Sequence, residues 1–153
     1  MLSIVAMKAL LQRVSSARVE IDGRSVGEIE NGLLVFLCAV KGDTDRDLEY
    51  IVNKVSKLRI FEDDHGKMNL SIMDIEGEVL VVSQFTLAAS TRKGNRLSFD
   101  AAEAPERARA LCDTFVTNLL QTGLSVQTGV FAESMAIPLT NNGPVTILID
   151  SRE

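Results

Sequence analysis

Tryptophan is absent from this 153-residue chain, which has one histidine, two cysteines and three prolines. Each scarcity closes a class of function. The lone histidine, His65, sits in the polar stretch Glu62-Asp63-Asp64-His65-Gly66, where a solvated turn explains it better than catalysis or weak cation binding. With no other histidine, neither a hydrolytic triad nor the usual nitrogen–sulfur metal site can be assembled. Cys38 and Cys112 lie in apolar surroundings and read as inert buried thiols in a reducing compartment. Without tryptophan, and with aromatics at only 5%, a base-stacking platform is not expected. No apolar run approaches the roughly 18–20 residues of a membrane span. Positive charge is also in deficit, at a net −5, so any RNA contact must be local. No metal and no cofactor is expected.

The apolar content of 46% fits one folded domain with a substantial core. Residues 1–6 lack a basic leader and read as a disordered or alternative-start extension before Met7. Strands are expected at 8–14, 17–21 and 26–29, with Asp22-Gly23 as a hairpin turn. After a turn at Asn31-Gly32, residues 33–40 are apolar on both faces, as in a central strand. Thr44 and Asp47 form a capping box for a helix whose stripe is Leu48, Ile51, Val52, Val55 and Leu58. Residues 79–82 are a buried strand. Pro105 opens a second helix, with Ala108, Leu111, Cys112, Phe115, Val116, Leu119 and Leu120 as its apolar stripe and Gly123 as its stop. Short strands follow at 125–128 and 135–139, and a last one at 145–149. The expected class is α+β, with mixed and antiparallel sheets forming a barrel-like core and two main helices packed against it.

Two segments carry polar groups where such strands end or begin: Ser83-Gln84-Phe85-Thr86-Leu87 and Asn142-Gly143-Pro144-Val145-Thr146. Rigid scaffolds often place binding groups at strand ends. Simpler readings exist. Strand alternation would put Gln84 and Thr86 on one face and Phe85 in the core. Gly143-Pro144 could be a plain turn, and base rates (about 5–6% cis for X–Pro) favour a trans bond. Thr91-Arg92-Lys93-Gly94-Asn95-Arg96 is equally well a solvated basic loop or a contact for RNA phosphates.

Taken together, the two segments resemble the paired signatures of D-aminoacyl-tRNA deacylases. The resemblance runs from about residue 7 to 149. It includes Gln12-Arg13-Val14, Gly66-Lys67-Met68-Asn69-Leu70 and Gln127-Thr128-Gly129, in family order and spacing. It implies a cytosolic homodimer that hydrolyses the ester joining a D-amino acid to the 3′ end of tRNA, with neither membrane nor DNA as partner. It implies that the Gly143-Pro144 segment, its bond cis, enters the partner's pocket, with Arg13 holding the loop and Met68 beside the substrate. Ser83, Gln84, Phe85 and Thr86 would form the catalytic segment. L-residues would be excluded by the Gly-Pro backbone, and some glycyl-tRNA would be cleaved. Backbone N–H groups at Phe85 and Thr86 would stabilise the oxyanion. No base is visible to activate Thr86, so the tRNA's own 2′-OH is the expected assistant. Leu97 departs from the family, where proline is usual, and bears on the path of the basic loop.

Two alternatives remain. A related group edits mischarged L-alanyl-tRNA, but Ser83 and Val145 match the D-specific form. Non-catalytic nucleic-acid-binding relatives tend to carry an added basic tail, unlike the Ser151-Arg152-Glu153 end here.

Overall fold

The structure, a computed structural model, describes residues 6–152. Strand β1 (Lys8–Ile21) is its axis. One edge of β1 pairs antiparallel with β2 (Arg24–Ile29) and β3 (Gly32–Cys38), and the other with β8 (Leu139–Asp150). Outside β3 lie β6 (Glu78–Ser83) and then β7 (Ser125–Thr128), both parallel to their neighbours. The mixed sheet thus has β1, β3 and β6 at its centre, which is why β3 and β6 bury both faces.

The sheet curls until it is nearly closed into a barrel. A Cβ added to Gly27 of β2 would lie 2.6 Å from the Thr128 carbonyl of β7, so only glycine lets these outer strands approach. Leu34, Leu80, Val82, Val14, Ala17 and Val19 fill the inside of the curl. Leu33, Val35, Leu37, Val79 and Val81 face the other way, onto the helices α1 (Asp45–Lys57) and α2 (Pro105–Gln121). Helix α1 opens as its sequence indicates. The Asp47 carboxylate accepts the Thr44 backbone N–H at 2.9 Å.

Several boundaries differ from the sequence reading. Residues 8–21 form one strand, in which the exposed Ser15 and Ser16 separate two differently buried halves. The last strand starts at Leu139 and includes the Gly-Pro segment. Residues 135–138 are not a strand; they touch the sheet through the Glu20–Ala136 bridge. The polar stretch 62–66 joins two short strands not anticipated, β4 (Phe61–Glu62) and β5 (Met68–Leu70). Leu120 is exposed, so the stripe of α2 ends at Leu119. Of the N-terminal extension, residues 1–5 lie outside the described residues, whereas Ala6 is buried.

Candidate active site

Strand β6 ends at Ser83, and the Gln84 N–H still donates to the Leu37 carbonyl at 2.8 Å. The chain then leaves the sheet in a 3-10 turn, Phe85–Ala88. The turn overturns the alternation reading of this segment. Phe85 is not in the core but 56% exposed, braced edge-to-face against Phe99 with ring centroids 5.1 Å apart. The Gln84 side-chain amide donates to the Thr86 hydroxyl oxygen, so the hydroxyl faces a donor and not a base. The first N–H groups of a helical turn have no carbonyl within the turn to donate to, which leaves those of Phe85 and Thr86 suited to an oxyanion. Beneath them the Cys38 thiol donates to the Phe85 carbonyl at 3.7 Å. Burial pushes that thiol up to about 11, so it stays protonated and unreactive at neutral pH. Burial does the same to Cys112, also to about 11.

Ser83, Gln84 and Phe85 form one wall of a cleft of about 480 Å³. Its other walls are Glu103, Pro105 and Ala108 at the start of α2, and Phe131, Met135 and Ile137 from the segment before β8. The sequence marks Pro105 and Ala108 only as parts of a helix, and none of these opposing residues as a functional group. Phe131 carries a faint signal, an aromatic two residues after the Gln127-Thr128-Gly129 segment. At the rim Glu103 pairs with Arg107 at 3.2 Å.

The second segment forms a bulge in β8. Gln12 pairs with Thr146 and Val14 with Asn141, so residues 142–145 stand opposite Arg13 alone. The Gly143-Pro144 bond is cis. Arg13, only 3% exposed, donates from Nε to the Asn142 carbonyl at 3.1 Å and from a guanidinium nitrogen to the Ile60 carbonyl at 2.8 Å. Its remaining nitrogen lies 3.8 Å from Glu62. The Asn141 side chain bridges the base of the bulge by donating to the carbonyls of Arg13 and Val145, at 3.0 and 3.1 Å. Gly143 and Pro144 themselves are exposed. Met68 is 58% exposed on β5, paired with Glu62, and does not line the cleft of its own chain.

Within one chain the two segments are apart. Thr146, Gln12, Leu34 and Leu80 lie side by side on four successive strands. The bulge is therefore three strand spacings from β6, roughly 14 Å along the sheet, and Ser83 is a further three residues, about 10 Å, along β6.

The basic loop is pinched at its base by mutual hydrogen bonds between Ser90 and Ser98, at 2.7 and 3.0 Å. Arg92, Lys93 and Arg96 are exposed, and none is in an ion pair with another described residue. The Phe99–Phe85 contact ties the loop to the cleft, and Leu97, where the family expectation was proline, is 52% exposed. His65 is exposed, and its backbone N–H and that of Lys67 donate to Asp63, holding that carboxyl below its usual range. No group of three metal-ligating side chains occurs among the described residues.

A curled mixed sheet with two helices on one face carries a strand-end cleft in which the backbone and amide groups after β6 stand opposite two carboxylates, Glu103, already paired with Arg107, and Glu133; this defines a small α+β domain with a single strand-end polar site. Residues 10–150 match the family model described as D-Tyr-tRNA(Tyr) deacylase. A D-aminoacyl-tRNA deacylase of Aquifex aeolicus is 54% identical over 96% of this chain and 99% of its own length. One from Geobacter sulfurreducens is 51% identical over 95% and 96%. Among solved structures, a c-Myc DNA Unwinding Element Binding Protein superposes with a TM-score of 0.89 at 38% identity, covering 95% of this chain and 99% of that one. A probable eukaryotic D-amino acid tRNA deacylase shares the fold, with a TM-score of 0.83 at 18% identity over 95% of this chain and all of that one. The chain belongs to the D-aminoacyl-tRNA deacylase family.

Proposed function

We propose that this protein is a cytosolic homodimer that hydrolyses the ester of D-aminoacyl-tRNA, with each active site built from two subunits. The observation behind the two-subunit site is the separation just described. The exposed Gly143-Pro144 bulge is too far from its own chain's Ser83–Phe85 cleft to complete it, while Arg13 and Asn141 hold it rigid as though for another surface. An apolar row supports self-association. Leu148, Leu10 and Phe36 lie side by side across β8, β1 and β3, and Leu148 is 54% exposed.

In this site the terminal adenosine and its ester occupy the cleft, and the N–H groups of Phe85 and Thr86 receive the oxyanion. The neighbouring 2′-OH of the RNA assists the attack, because Thr86 faces only the amide of Gln84. The partner's Gly-Pro backbone lines the side of the site that an L side chain would need. A D side chain points outward and is not gripped, so substrates are varied, glycine included.

The decisive measurement is deacylation of D-tyrosyl-, glycyl- and L-tyrosyl-tRNA. Rates should fall in that order, with the L ester spared. Equal D and L rates would remove the chiral reading, and fast cleavage of L-alanyl-tRNA alone would make this an editing enzyme. The 38%-identical relative is named for binding DNA. Single-strand DNA binding with no deacylation would favour that second reading.

Two smaller effects are expected. Thr86→Ala should retain much of its single-turnover rate on D-tyrosyl-tRNA, whereas bulky replacements at Gln84 or Phe85 should not. A loss of about 10⁴-fold, the scale of removing a triad member, or a trapped acyl-Thr86, would make Thr86 the nucleophile. Charge reversal at Arg92, Lys93 and Arg96 together should weaken tRNA binding and flatten its salt dependence. The log–log slope should fall by up to about 0.9 for each phosphate that the loop no longer neutralises. An unchanged slope would mean that the loop is only solvated.

A further inference from the structure

Resting on that tRNA reading, we propose that a second groove along α2 receives the nucleotide preceding the terminal adenosine and reads it as cytosine. The groove, about 420 Å³, shares Ser83 and Phe131 with the cleft. The cleft and the groove therefore adjoin, and an RNA strand whose last nucleotide fills the cleft has the groove within reach of the nucleotide before it. Every tRNA ends in cytidine-cytidine-adenosine, so the base arriving there is a cytosine.

The lining suits that base. Val116, Val130 and Phe131 offer an apolar surface to a flat ring. Arg109 and Asp113 stand one turn apart on the exposed side of α2, with Cβ atoms roughly 5–6 Å apart by helix geometry. They are not in an ion pair with each other. Their order, cation before anion, is also the less favourable one for an intrahelical pair. Arg109 offers donors only and Asp113 acceptors only. The Watson–Crick edge of cytosine presents an amino donor beside two acceptors and matches this pair, with N4–H₂ toward Asp113 and N3 and O2 toward Arg109. Uracil would turn its O4 carbonyl against the Asp113 carboxylate. A phosphate would meet the same repulsion, so a base edge fits the groove better than the backbone does.

The test is anisotropy titration of an uncharged acceptor-stem hairpin ending in 3′-CCA against one whose penultimate base is uracil. Wild type should prefer cytosine by roughly 5- to 100-fold, the discrimination typical of one good base-edge pair. Asp113→Asn should lose that preference or turn it toward uracil, because a carboxamide can donate to O4. Arg109→Ala should weaken both hairpins. Both side chains are exposed, so the variants should melt like wild type. Equal wild-type affinity for the two hairpins, or a preference unchanged in Asp113→Asn, would overturn the proposal. Deacylation of D-tyrosyl-tRNA keeps the two readings distinguishable. Activity without a penultimate-base preference defeats this inference alone. A preference without activity supports the groove and defeats the hydrolase reading.

Discussion

Gly143→Ala should leave the fold intact and cut D-tyrosyl-tRNA deacylation by about 10²-fold or more. The structural half follows from geometry within one chain. A Cβ built on Gly143 meets only Asn141 Oδ1, at 3.4 Å, an ordinary contact, and the residue is not in the left-handed region. Such an exposed substitution should change stability by no more than about 0.5 kcal/mol. The functional half follows from the proposed site. If the bulge lines the partner's pocket, an added methyl displaces the substrate, and a misplacement of about 1 Å can cost 10²-fold in rate. Thermal melting and single-turnover kinetics on one preparation separate the two halves. Mixing this variant with Gln84→Trp adds a sharper check. Half of the reassorted dimers carry one bulge and one cleft that are both intact in the same site, so two inactive proteins should together recover about a quarter of wild-type activity. A Gly143→Ala enzyme of normal rate, or mixtures that stay inactive although they exchange subunits, would refute the shared site.

Arg13→Ala should lose both stability and activity. The buried guanidinium serves the carbonyls of Asn142 and Ile60 and lies near Glu62, so it joins the β8 bulge to the segment after α1. Truncation leaves two carbonyls without their donor. At about 1–2 kcal/mol for each orphaned carbonyl, the total is about 2–4 kcal/mol, or a fall in melting temperature of roughly 5–15 °C for a chain of this size. The released bulge should lower kcat/KM by about 10²-fold even well below the melting transition. Arg13→Lys should recover only part of this, because one ammonium cannot span both carbonyls in the guanidinium's planar arrangement. If Arg13→Ala melts early yet keeps full activity at low temperature, the bulge is a structural feature without a role in the site.

Much of the local structure was legible because it is set by neighbours in sequence. The Thr44–Asp47 cap, the stripe of α1, the Asp22-Gly23 turn and the two-faced apolar strands β3 and β6 need only short-range periodicity and turn chemistry. What failed was decided at longer range. Phe85 is open to a core reading because alternation continues a strand, but β6 ends at Ser83, the chain leaves the sheet after Gln84, and Phe85 finds Phe99 instead. Residues 135–138 are apolar enough for a strand, yet only one bridge reaches β1 before β8 takes over that edge. The β4–β5 hairpin is too short to show a period.

The candidate site divides in the same way. By itself the sequence determined the chemistry on offer: two neutral polar segments, no base beside Thr86, no metal ligand set and one basic loop. It also determined the family, since the ordered motifs stand in the residues themselves. Only the tertiary structure decided where these groups meet. Strand order placed Gly143-Pro144 and Ser83-Gln84-Phe85 at different ends of one sheet, Arg13 on the bulge, and Phe131 and Met135 across the cleft. The reason is that strand pairing and sheet curvature join residues more than a hundred positions apart, such as Arg13 and Asn142, through contacts that no local pattern encodes.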